Sequence, residues 1–116
     1  MKNIDEFLSG IKEFCSPKVI SKVNDHYLKL AKVIGKLPLH KHKSDELFVI
    51  VNGSMDMEVE GKIYPLKEGD VFLVEKHKMH RPIAKEQCDC LLFEKKDLLH
   101  TGDQVFDITK TIDEQL

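Results

Sequence analysis

Turn-forming residues recur at short intervals along most of this chain: Asn24-Asp25, Gly35 with Pro38, Asn52-Gly53, Glu60-Gly61, Glu68-Gly69-Asp70 and Arg81-Pro82. Spacings of roughly eight to twelve residues between such signals are those of short strands joined by tight connections. The stretches between them are rich in β-branched and aromatic residues, namely Leu47 to Val51, Met55 to Val59, Val71 to Val74 and Cys90 to Phe93. Period two is already present upstream, where Leu28, Leu30 and Lys32 alternate with Tyr27, Lys29, Ala31 and Val33. The pattern predicts an all-β antiparallel sandwich or barrel. One segment differs. Ile4, Phe7, Leu8, Ile11 and Phe14 follow the three-and-four spacing of a short amphipathic helix over about residues 3–14, capped by Asn3 and broken by Ser16 and Pro17.

A length of 116 residues allows one domain, 1–116, with one core. With 41% apolar and 33% charged residues the chain is expected to fold as a soluble domain. The 18 basic and 20 acidic residues are mixed along the sequence, so no field is set up that would hold a nucleic-acid backbone. No run approaches the roughly 20 apolar residues of a membrane span. Asp5 and Glu6 interrupt the place where an export signal needs an apolar run, so a cytoplasmic location is expected. Cys15, Cys88 and Cys90 are then expected as free thiols, with Cys88 and Cys90 as buried strand residues of equal parity. Beyond Asp97 only Val105, Phe106, Ile108 and Ile112 could anchor the tail, over a barrel edge or on a neighbouring subunit.

Chemistry concentrates in Leu39-His40-Lys41-His42-Lys43-Ser44-Asp45-Glu46. Residues two apart on an extended chain share a face, so His40 and His42 converge, and Glu46 has the same parity. Two imidazoles and a carboxylate form a ligand set for a divalent ion, one protein ligand short of four. The segment Glu75 to Pro82 offers the fourth: His80 at the entry to the next strand, with His77 in a lysine-flanked turn as its rival. Phe48 and Ile50 share the ligands' parity and should line the pocket, while Leu47, Val49 and Val51 face another layer or a subunit interface. Met55, Met57 and Val59 read as a core stripe. Lys41, Lys43, Lys76, Lys78 and Arg81 could form a positive rim, but the parity of Lys41 and Lys43 points them away and turn lysines are usually solvated. His26 and His100 have no partners in the pattern.

These residues resemble the first motif of the cupin superfamily: a glycine, a His-x-His pair, a glutamate three to four residues on, and a second glycine. Here they are Gly35, His40, His42, Glu46 and Gly53, with a step from Gly35 to His40 one residue shorter than usual. The second motif is kept at Gly69 and His80, while Glu75, His77 and Ala84 replace its proline, glycine and asparagine. The resemblance covers about residues 28–93 and looks like the small single-domain microbial cupins. It implies a double-stranded β-helix, or jelly-roll β-barrel, of six to eight strands, often paired into a homodimer through edge strands. It also carries His80 over as the fourth ligand beside His40, His42 and Glu46.

Three imidazoles and a carboxylate suit one divalent transition metal ion, Fe, Mn, Ni or Zn, and leave up to two positions of an octahedral shell open. The reading that follows is a metal-dependent enzyme, isomerase-like or dioxygenase-like, acting on a small polar metabolite, with Glu75 and His77 as the only candidates for a separate general base. The alternative is a non-catalytic metabolite- or metal-binding module. The expected partners are a small-molecule ligand and a second copy of the chain, with neither nucleic acid nor membrane.

Overall fold

A computed structural model describes residues 1–96. Helix α1 (Ile4–Gly10) begins where Asn3 accepts hydrogen bonds from the Asp5 and Glu6 amides, at 2.9 and 3.3 Å. It is shorter than the sequence pattern predicts. The chain turns extended at Ile11, whose amide bonds the Leu8 carbonyl, and Phe14 is left half exposed. Gly10 is a weak helix former, and Ile11 reaches the core from the extended conformation, so burial does not require the helix to continue.

Strands β1 (Lys18–Val23) and β2 (His26–Lys36) form a hairpin about Asn24-Asp25. They are followed by β3 (Glu46–Asn52), β4 (Ser54–Val59), β5 (Lys62–Lys67), β6 (Val71–Val74) and β7 (His80–Lys95). All pairings are antiparallel, and the main order is β1-β2-β7-β3-β6. The first four residues of β7 pair instead with β4, which carries β5 on its other side. β7 thus serves both halves of a jelly-roll barrel.

Three strand assignments depart from the expectation. The sequence marks Arg81-Pro82 as a turn, yet β7 runs through it, because the fixed φ of proline suits extended backbone and Pro82 lies near the strand's start, opposite Met57. Neither β1 nor β5 was predicted; β5 contains Pro65 and is mostly exposed, so it lacks the alternating apolar signal. Gly35 and Pro38 mark no simple turn either: a bulge falls between Val33 and Gly35, which has φ +86°. Gly53 is required for a different reason. Its φ is +79° and a Cβ there would lie 2.8 Å from the Gln87 carbonyl oxygen.

The barrel interior takes alternate residues of three neighbouring strands: Ala31 and Val33 of β2, Phe48 and Ile50 of β3, and Cys88, Cys90 and Leu92 of β7. Met55 and Met57 join them as the expected core stripe. On the other face of β2, Leu30 packs with Ile20, Leu8 and Ile11, so α1 seals the outside of the β1-β2 end. All three cysteines are free thiols. Burial pushes the Cys88 thiol up to about 11 and Cys90 well above its ordinary value, as expected of core residues rather than thiolate ligands. Among the described residues no helix is long and apolar enough to cross a membrane. His100 and the four tail anchors lie outside the described residues.

Candidate metal centre

Backbone pairing builds the centre. His40 and His80 exchange both of their main-chain hydrogen bonds, at 3.0 and 2.8 Å, so they form a directly opposed antiparallel pair whose side chains share one face. The same two segments are tied again on either side, by the Leu37 amide to the Pro82 carbonyl at 3.2 Å and the His77 amide to the His42 carbonyl at 2.8 Å. His42 follows two residues after His40 and returns to the same face. Glu46 opens β3, held between Val74 of β6 and Glu94 of β7. Asp45, just before it, accepts from the Lys76 amide at 2.8 Å and fixes the approach.

The result is a cluster in which one ligand atom from each of His40, His42, Glu46 and His80 lies within 4.8 Å of the others, and all four residues are at most 2% exposed. His40 Nδ1 donates to the Pro38 carbonyl and His80 Nδ1 to the Lys78 carbonyl, both at 2.8 Å. These bonds fix the ring orientation and place the ring hydrogen on Nδ1, which leaves Nε2 of each ring with a lone pair aimed inward. His80 Nε2 then faces Glu46 Oε1 at 3.3 Å, lone pair against lone pair, and His42 Nε2 stands 3.5 Å from the same oxygen. A divalent cation among these atoms turns the repulsion into coordination, and it would also compensate the burial of the Glu46 carboxylate. The residues present therefore fit a metal ion.

The electrostatics agree. Burial, reinforced by the neighbouring His80, lowers the His40 pKa to about 4, and burial lowers His80 as well, so both rings are neutral near pH 7 as a ligand must be. Burial raises the Glu46 carboxyl above its ordinary value, partly offset by Glu94 and Lys29.

The structure brings the four sequence-predicted ligand residues together and leaves His77 at the surface with φ +67°. Glu75 is exposed too, so neither candidate base sits in the cluster. Of the residues considered for a positive rim, Lys41, Lys43, Lys76 and Lys78 are exposed and none lines the cavity, while Arg81 pairs with Glu58 at 3.2 Å. A cavity of about 30 Å³ opens beside His40 and Glu46, walled by Cys15, Leu37, Phe48 and Pro82 among other apolar groups. Phe48 lines it as the parity argument predicts, whereas Ile50 lies deeper in the core.

Sequence reasoning missed two residues. Lys29 and Glu94 are fully buried and ion-paired, with Lys29 Nζ 2.6 Å from Glu94 Oε1, and Glu94 is the cross-strand partner of Glu46. The available signal was parity. Lys29 shares the parity of the inward Ala31 and Val33, and Glu94 that of Cys90 and Leu92.

Comparison with known proteins gives the same picture. The pattern of the family described as the cupin domain matches residues 31–94, more than half of the chain. Protein YdbB of Bacillus subtilis (strain 168) is 35% identical over 83 residues, which cover 70% of this chain and 74% of YdbB. A cupin-2 domain containing protein from Shewanella frigidimarina NCIMB 400 superposes with a TM-score of 0.81 at 30% identity, covering 83% of this chain and 95% of its own. Protein NMB1881 of Neisseria meningitidis does so with a TM-score of 0.76 at 29% identity, covering 83% and 99%. Two histidines paired across one backbone bridge, a third histidine and a glutamate converging inside a jelly roll, and a matched family pattern over that same stretch place this chain in the cupin family.

Proposed function

We propose that this chain is a small metal-dependent enzyme that uses one first-row divalent ion, Fe, Mn, Ni or Zn, held by His40, His42, Glu46 and His80. The observation that carries the proposal is the burial of three histidines and a glutamate around a common point, an arrangement that is costly unless a cation compensates it. Bound there, the ion would supply Lewis acidity toward a substrate oxygen, favouring isomerisation, or redox chemistry if it is iron(II), favouring oxidative cleavage.

The protein's own groups do the rest. The apolar walls around the cavity exclude water, and its volume of about 30 Å³ admits only the small end of a metabolite, whose polar atom would face His40 and Glu46. The hydrogen bonds at His40 and His80 Nδ1 hold the rings before any ligand arrives, so little reorganisation is needed on binding.

The test is elemental analysis of protein purified without an affinity tag or added metal. Wild type is expected to carry about one ion per chain and His40→Ala/His42→Ala none, since loss of two of four ligands removes most of the binding free energy. Metal-free wild type that also refuses reconstitution would rule the proposal out. One observation favours the second reading, a non-catalytic metabolite- or metal-binding module: among the described residues the cavity is lined by no carboxylate, histidine or lysine beyond the ligands themselves. Turnover of any substrate that disappears in Glu46→Ala/His80→Ala decides for the enzyme.

The proposal extends to a homodimer in the cytoplasm. Free thiols suit a reducing compartment. For the dimer, β6 is a terminal strand of the main sheet and exposes Val71 and Leu73, 63% and 51% accessible, beside their partners Val49 and Leu47. An uncovered apolar edge of this kind calls for a partner, and a second copy is the simplest. Light scattering should give twice the chain mass for wild type and the chain mass for Val71→Lys/Leu73→Glu; a monomeric wild type would refute it.

A further inference from the structure

The pair Lys29–Glu94 sits directly behind the metal cluster and is not explained by packing. A lysine with no exposed surface is rare, and an apolar pair of the same size would fill the space with no desolvation cost. Its placement gives the reason. Glu94 is the directly opposed cross-strand partner of Glu46, so the two buried side chains stand next to each other on one face of the sheet. On its far side Glu94 meets Lys29 Nζ at 2.6 Å. Glu46 meanwhile turns Oε1 toward His42 and His80, at 3.5 and 3.3 Å, while Oε2 is buried without a nitrogen or hydroxyl donor.

We propose that Lys29 and Glu94 are positioning residues that hold Glu46 Oε2 away from the metal, so that Glu46 offers the ion a single oxygen, Oε1. The inference rests on the metal-binding reading above. A glutamate free to swing would chelate through both oxygens and fill one of the positions a substrate needs, whereas a glutamate anchored from behind leaves it open. Lys29 in turn fixes Glu94 by an ion pair that no solvent competes for. This row from β2 through β7 to β3 thus sets how many positions at the centre are available to substrate.

Cobalt(II) is the probe, because its visible absorption intensity reports coordination number and its titration reports affinity. In crystals of the wild-type Co(II) form, one Glu46 oxygen is expected at about 2.0–2.2 Å from the ion and the other at hydrogen-bond distance from Glu94. Lys29→Met/Glu94→Leu should shift the spectrum and weaken Co(II) binding about 10–100-fold. Glu94→Gln, whose amide can still bridge Lys29 and Glu46, should keep the wild-type spectrum. Gly53→Ala, which destabilises the barrel far from the ligands, should keep it too. Both Glu46 oxygens on cobalt in the wild type overturn the inference, a result that stands even if the double variant fails to fold. So does a folded double variant with unaltered spectrum and affinity, or a Glu94→Gln protein that behaves like the double variant. Wild type that takes up no cobalt, nickel, manganese or zinc fails earlier: it removes the metal reading itself.

Discussion

Lys29→Met alone should cost the metal-free protein about 3–5 kcal/mol, the range for stripping one partner from a fully buried ion pair. The substitution nearly preserves volume, so little of the loss would come from a cavity. What remains is Glu94, buried beside Glu46 with its compensating cation gone, in a place where burial and Glu46 already hold the Glu94 carboxyl well above its ordinary pKa. Against a total of about 5–15 kcal/mol for a domain of this kind, the variant would be close to unfolding. Adding Glu94→Leu removes the stranded group as well, and the double variant should recover at least half of the loss. Urea unfolding of the two variants beside wild type measures this. A single variant within about 1 kcal/mol of wild type would mean that water or a neighbouring dipole replaces Lys29, and the pair would then carry little of the fold.

The second large effect depends on pH. In the folded metal-free protein the His40 pKa is lowered from 6.5 to about 4 by burial first and by His80 second, with the Pro38 carbonyl opposing. Between those two values the unfolded chain binds a proton at His40 and the folded chain does not. The stability linked to His40 is therefore fully present above about pH 6.5 and is lost as the pH falls toward 4, a change of about 3 kcal/mol. Glu46 and Glu94 tilt the other way, because their carboxyls are raised and the folded state holds protons that the unfolded chain releases. The informative quantity is the difference between wild type and His40→Gln, which cannot titrate. Urea melts of metal-free protein at pH 7 and pH 4.5 should show wild type losing more stability than the variant; parallel losses would indicate a ring that reaches solvent and charges freely.

Reading the chain for turns and parity recovers the barrel because both signals are local. Asn24-Asp25 and Glu60-Gly61 do join paired strands, and His40 and His42 converge because an extended chain returns every second side chain to one face, whereas Glu46 rejoins them only after a bend at Lys43-Ser44. Other features depend on partners that a local pattern does not contain. Pro82 resembles a stop signal until Met57 lies opposite it. Ile11 has helical spacing but reaches the same apolar cluster from extended backbone. Lys29 and Glu94 each look solvent-facing alone. Only the β2-β7 pairing, which sets Lys29 beside Leu92 and Tyr27 beside Glu94, brings the opposite charges together inside the barrel.

That long β7 strand also sets a timetable for assembly. Its pairing with β2 joins residues from 47 (Lys36 and Ile83) to 69 (His26 and Lys95) positions apart, so loop closure must precede the contacts that reward it, and such topologies fold slowly. His80 and Glu94 lie on β7, while His40, His42 and Glu46 precede it in the chain. Until β7 pairs, the chain can bring together two histidines and a glutamate but not the four-residue cluster. The four-residue cluster thus belongs to the closed barrel, where β7 decides at once whether the chain is folded and whether the site exists.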